Sequence, residues 1–151
     1  MSITLQDIES KQDELLALIA SFKQQSQTTT LRIPAVELEL QPGEWYAGAL
    51  LNEDGSVKHH TIVAKISNDG NDYTAAQAMA ADAGLSAPTF QEARLIVAHR
   101  YGRLAGMSWF WLCEPHSNSA CAWLCDLGGG NVGYISRSAG GGAVAVRRVN
   151  P

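Results

Sequence analysis

The chain has no basic run. Its 11 Lys and Arg are outnumbered by 15 Asp and Glu, giving a formal charge of −4, and Arg147-Arg148 is the one adjacent Lys/Arg pair. Gripping a phosphate backbone takes several cations on one face, so no nucleic-acid partner is expected. No stretch approaches the roughly 20 apolar residues that cross a bilayer. The N-terminus also lacks the basic-then-apolar order of a signal peptide. No membrane insertion is expected, and the chain reads as made and folded in a cytoplasm. Cysteine is scarce: three residues cannot close a full set of internal disulfides, and a reduced state suits that compartment. No unit of 20 to 50 residues repeats.

What is present begins with an amphipathic segment over residues 2–27. Thr4 with Asp7 reads as an N-cap with an acid in the first turn. Apolar residues fall at Leu5, Ile8, Leu15, Leu18, Ile19 and Phe22. Ile8, Leu15 and Phe22 are seven apart, and Lys11 and Gln12 interrupt the seam. The stripe is that of a helix that nearly keeps a coiled-coil repeat. A helix packed on its own domain and a helix that meets its copies both fit; the second is favoured, because the polar run Gln24 to Thr30 reads as a neck. Two regions follow: an oligomerisation or attachment helix with its linker over 1–30, and a globular domain over 31–151.

In the second region, Leu31, Ile33, Val36, Leu38 and Leu40 suggest extended segments, and Pro42-Gly43 a turn. Trp45 to Leu51 reads as a strand, Asp54-Gly55 as a hairpin turn, and His60 to Ile66 as the returning strand. Asn68 to Asn71 reads as another turn. Thr74 to Ala83 is alanine-rich and helical, with Thr74 a candidate cap. Thr89 with Glu92 has capping-box spacing and opens a second helix that runs to Tyr101. From Met107 onward short apolar strands alternate with polar and glycine clusters. Trp109 and Trp111 alternate onto one face, which suits burial.

Several constellations invite chemistry. Cys113, His116, Cys121 and Cys125 form a soft-ligand series, but Cys121 and Cys125 stand roughly 13 Å apart along one strand, too far for one tetrahedral ion. Cys113 with His116, His59 or His60 lacks a third orienting group. Gly128 to Asn131 lacks the lysine and hydroxyl of a phosphate loop. Glu114, Asn118, Asp126 and Asn131 are scattered for calcium. No metal, cofactor or catalytic set is therefore expected. The loops between the tryptophan-bearing strands offer the better surface, through His116, Asn118, Ser119, Asn131, Tyr134 and Arg137.

Taken in order, Trp45-Tyr46-Ala47-Gly48, Tyr73-Thr74-Ala75-Ala76, Pro88-Thr89 with Glu92-Ala93, Trp109-Phe110-Trp111 with Glu114, Ala122-Trp123, the glycine loop with Asn131, and Val146-Arg147-Arg148-Val149 resemble the C-type-lectin-like domains, close to the formylglycine-generating-enzyme fold, of phage tail proteins and bacterial adhesins. The resemblance covers residues 41–149. It implies an α+β domain in which two helices flank a twisted antiparallel sheet, preceded here by the N-terminal helix. It also implies a non-catalytic receptor-binding module on a virion tail or cell surface. The partner would be a host-surface protein or glycan, with other tail proteins beside it, and the N-terminal helix would make a homo-oligomer, a trimer for preference. Two rivals stand: a structural virion protein whose loops pack on other tail subunits, and an enzyme of the formylglycine-generating type. The final strand lacks the cysteine pair that such enzymes carry. The last loop, Ser136 to Gly142, is built of small residues, which suits tight packing against a neighbouring subunit as well as it suits a ligand.

Overall fold

The structure is a computed structural model that describes residues 4–25, 36–82, 84–99 and 103–151. It divides into two units, Met1–Ala35 and Val36–Pro151. In the first, α1 spans Leu5–Gln25. The Asp7 amide donates to Thr4 Oγ1 at 3.2 Å, and the Thr4 hydroxyl donates to Asp7 Oδ2 at 2.6 Å. The cap expected at Thr4 therefore forms, and the Thr4 hydroxyl, with the Thr4 amide donating to the same oxygen at 3.0 Å, holds the Asp7 carboxyl below its usual range. Gln24 and Gln25 of the expected neck belong to α1 instead, and the rest of it, 26–30, with Leu31 and Ile33, lies outside the described residues. Among the described residues no helix is long and apolar enough to cross a membrane.

The second unit is α+β. Its strands are β1 (Trp45–Leu51), β2 (Val57–Asn71), β3 (Trp109–Trp111), β4 (Cys121–Asp126), β5 (Val132–Ser136) and β6 (Gly141–Val149). Its helices are α2 (Tyr73–Asp82) and α3 (Phe90–Ala98). One six-stranded sheet has the order β1-β2-β6-β3-β4-β5. Every pairing is antiparallel except β3 with β6, which is parallel at Phe110 and Gly142. The last strand in sequence thus lies in the middle of the sheet. Its residues Gly142 to Val146 are all buried. A strand covered on both faces needs a continuous run of small apolar side chains, and Gly-Ala-Val-Ala-Val supplies one.

Alternation along β6 sorts the core into two layers. Val144 and Val146 join Trp45, Val63, Phe110, Leu112 and Cys125 beneath Ala93 and Ile96 of α3. Ala143 faces the other way and joins Trp111 and Ala122 beneath Ala76 of α2. The two helices therefore cover opposite faces of the sheet. Trp109 and Trp111 share the α2 face, with rings edge-on at 4.9 Å, and Trp111 is fully buried. Gly48, at φ +142°, lets Leu95 of α3 approach β1, where an added Cβ would stand 3.2 Å from a leucine methyl.

The structure revises four local expectations. β2 runs on through Asn68 to Asn71 instead of turning, because β6 pairs with it at Ser67 and again at Asn71, and a register shift absorbs the glycine between. The capping side chain of α2 is Asp72, whose Oδ1 accepts the Ala75 amide at 2.8 Å, not Thr74. α3 forms behind its capping box but ends at Ala98, with His99 as C-cap. Val36 to Leu40 carry no strand.

The final glycine loop packs on its own chain. A Cβ on Gly141 would fall inside the Trp109 ring, and one on Gly142 would strike Met107 2.5 Å from the sulfur. Glycine is required at these two positions because the Trp109 ring and the Met107 side chain fill the space a Cβ would need.

Candidate functional site

The β4–β5 hairpin and the loop before it gather most of the expected surface residues. Tyr134 pairs across the ladder with Trp123, so both side chains leave the same face. Their rings meet edge-on at 5.6 Å. His116, from the loop after β3, fills the angle between them, 4.7 Å from Trp123 and 4.5 Å from Tyr134. Behind them Phe90, the first residue of α3, meets Trp123 edge-on at 5.4 Å. The indole N–H of Trp123 donates to the Pro115 carbonyl at 3.3 Å. Tyr134 keeps 61% of its surface exposed. The result is an aromatic surface whose outermost ring is wet and whose inner rings are packed.

The loop that carries His116 is closed on itself. The Asn118 amide donates to His116 Nδ1 at 3.0 Å, and the Asn118 carbonyl lies 3.3 Å from the same nitrogen. Asn118 Oδ1 accepts the Ala120 amide at 3.0 Å, and the Asn118 carbonyl accepts the Cys121 amide at 3.0 Å. Asn118 and Ser119 are exposed beside the rings.

Arg137 and Asn131 have other surroundings. The Arg137 guanidinium lies 4.6 Å over the Tyr73 ring, and its Nε donates to the Cys121 carbonyl at 3.2 Å. It ties the end of β5 to the start of α2, so much of its binding capacity is spent within the chain. Asn131 closes the opposite end of the hairpin, where its carbonyl accepts the Asp126 amide at 2.8 Å. The ladder pairs Cys121 with Ser136 at one end and Cys125 with Val132 at the other. Asn131 therefore lies three residues, roughly 10 Å, along the hairpin from Tyr134. The fold brings His116, Asn118, Ser119 and Tyr134 together, sets Arg137 at their border, and leaves Asn131 apart.

A cleft of about 480 Å³ adjoins the rings at Phe90 and is lined by Leu50, Lys58, His59, Thr89, Glu114 and Arg148. At its inner edge lies Glu92, whose side chain is fully buried. Its Oε1 accepts from Arg148 Nε at 2.6 Å and from His59 Nε2 at 2.9 Å. Its Oε2 accepts from Arg148 Nη2 at 2.7 Å and from the Thr89 amide at 2.8 Å. Burial pushes the Glu92 carboxyl up, but the bonds from Arg148, Thr89 and His59 outweigh it and hold the group below its ordinary value. Arg148 also donates to Ser86 Oγ and the Ala87 carbonyl. This is a satisfied anchor joining β2, α3 and β6.

None of this was foreseen beyond the capping box. Glu92 carried the one visible signal, its spacing from Thr89, while its partners His59 and Arg148 lie 33 and 56 residues away in sequence.

Cys113 sits beside the cleft, its thiol 3.8 Å from Glu114 Oε2. Burial and then the Glu114 charge push that thiol up to about 11. Burial, with Asp126 adding to it, does the same for Cys125. Among the described residues no group of three or more His, Cys, Asp or Glu side chains is placed to hold a metal ion. A larger depression, about 510 Å³, runs along Leu104 to Ser108 and Asp126 to Gly128. Its carboxylate, Asp126, is engaged by the Gly129 amide at 2.9 Å.

No protein-family model matches the chain, and comparison with curated proteins finds no significant match.

Proposed function

We propose that residues 36–151 form a non-catalytic recognition module of the C-type-lectin-like kind. In this reading the surface of His116, Asn118, Ser119 and Tyr134 contacts a host-surface protein or glycan. The module is carried on a phage tail or a surface-displayed structure, and the N-terminal helix joins copies of the chain, three for preference. The observation that carries the proposal is the exposed Tyr134 ring held by His116 and Trp123. A rigid aromatic with its orientation already set loses little freedom on binding. Its wet face suits the apolar face of a sugar or a partner side chain. The two helices on opposite faces of a largely antiparallel sheet are consistent with the fold the motif order resembles.

The thiols weigh against the enzyme reading. With Cys113 and Cys125 at about 11, roughly one molecule in ten thousand carries either thiolate at pH 7. The test is binding of the purified full-length chain to whole cells and to a glycan panel, with and without a calcium chelator. Binding that Tyr134→Ala abolishes while the fold is kept supports the module. A folded protein that binds no cell and no glycan supports the structural virion protein instead.

A further inference from the structure

Resting on the reading that α1 joins copies of the chain, we infer that residues 5–22 form a parallel, in-register three-stranded coiled coil with Gln12 facing Gln12 at its centre. Leu5, Ile8, Gln12, Leu15, Ile19 and Phe22 follow one another at steps of three, four, three, four and three. These are the a and d positions of a heptad kept over about two and a half repeats, apolar except for Gln12 at one a position. A strict repeat of 3.5 residues does not stay on one side of a straight helix of 3.6, so it is satisfied by a partner with the same repeat wound around it. Each copy of the chain supplies such a helix.

The exposures agree. Leu5, Ile8, Leu15, Leu16, Leu18 and Ile19 are all between 43% and 73% exposed in the single chain. A helix of this length is weakly stable by propensity alone and draws its stability from a buried face. Leu16 and Leu18 occupy the flanking e and g positions. They widen the apolar face beyond a two-stranded seam, which is why three strands fit better than two.

Gln12 sets the direction. It holds the central a position between two apolar layers. In a parallel, in-register bundle each Gln12 amide meets the same amide of a copy, and the side chains donate and accept around the axis. In an antiparallel pair an a position faces d, so Gln12 would lie against Leu15 with its amide buried and unbonded. The flanking charges permit the parallel arrangement. A g residue meets the e residue five places on in the next chain, which pairs Thr4 with Glu9, Lys11 with Leu16 and Leu18 with Lys23. No like charges meet. Lys11 is occupied within its own helix by Glu14, at 3.4 Å.

The experiment uses the full chain, pyrene-labelled at its N-terminal amine for one arm. Sedimentation equilibrium is expected to give three times the 16.2 kDa chain mass. Pyrene excimer emission is expected, because parallel strands place the labels together. Gln12→Glu puts three carboxylates in the core, so its association is expected to weaken roughly 100-fold at pH 7 and to recover near pH 4. Glu14→Gln, on the outer face, should leave association unchanged. Emission from the four tryptophans, all in the second unit, reports separately that each variant is folded. A wild-type monomer, a trimer without excimer, or a Gln12→Glu chain that stays trimeric at pH 7 overturns the inference. A monomer that still binds cells sinks the coiled coil and leaves the recognition reading standing; a parallel trimer that binds no cell or glycan does the reverse.

Discussion

Replacing Glu92 by Gln removes one charge and almost no volume. A glutamine at the third helical position still reaches back to the Thr89 amide, so the capping box survives. What is lost is the carboxylate that accepts two bonds from Arg148 and one from His59. Breaking a fully buried pair costs about 3–5 kcal/mol. Here a third of the Arg148 side chain remains in water, which places the expected loss nearer 3 kcal/mol. For a domain of this size that lowers the midpoint of thermal unfolding by roughly 10–15 °C. The effect carries a pH signature. The folded carboxyl lies below its unfolded value, so its stabilisation is complete above about pH 4.3 and is lost as pH falls through the depressed folded value. Urea unfolding of wild type and Glu92→Gln should therefore differ by about 3 kcal/mol at pH 7, with the gap narrowing steadily below pH 4. A variant within about 0.5 kcal/mol of wild type at pH 7, or one whose deficit persists unchanged in acid, would refute the network as the anchor of α3.

Gly141→Ala should destabilise by about 2–3 kcal/mol and shift tryptophan emission, since the new methyl displaces the Trp109 ring. Gly43→Ala, with open space but φ +89°, should cost only about 1 kcal/mol by the same denaturation assay. Alkylation of Cys113 and Cys125 in the native protein should be slow at pH 7.5 and accelerate toward pH 11; labelling as fast as in urea would contradict their burial. Tyr134→Ala should change stability by less than about 1 kcal/mol, because the ring is mostly exposed. The same change should weaken cell or glycan binding at least roughly 10-fold.

Signals carried by neighbours in sequence were readable. The Thr4 cap, the Thr89–Glu92 box and the Asp54-Gly55 turn depend on residues within four positions of one another, as does the shared face of Trp109 and Trp111. Burial of β6 agrees with its small apolar run, but its seat between β2 and β3 has no local signal, because pairing partners leave no local mark. Asn68 to Asn71 show the same limit from the other side. They have turn-forming composition, and long-range pairing of Ser67 with Ala143 and of Asn71 with Gly141 holds them in a strand. The surface residues followed this rule too. Loop position singled out His116, Asn118, Ser119, Asn131, Tyr134 and Arg137 alike, and only the hairpin register separated Asn131 from the rest.

The sequence by itself determined the helix periods, the Thr4 and Thr89 caps, the alternation of the aromatic strands and the near-heptad spacing of α1, since each rests on a spacing set by backbone geometry. Tertiary structure alone decided that the last strand lies at the centre of the sheet and that Arg148 and His59 converge on Glu92. It also decided that Trp109 rests on Gly141 and that His116 lies between the rings of Trp123 and Tyr134. These contacts join residues far apart in the chain. They form only when burial of two apolar layers brings the strands into register, and no local spacing encodes that.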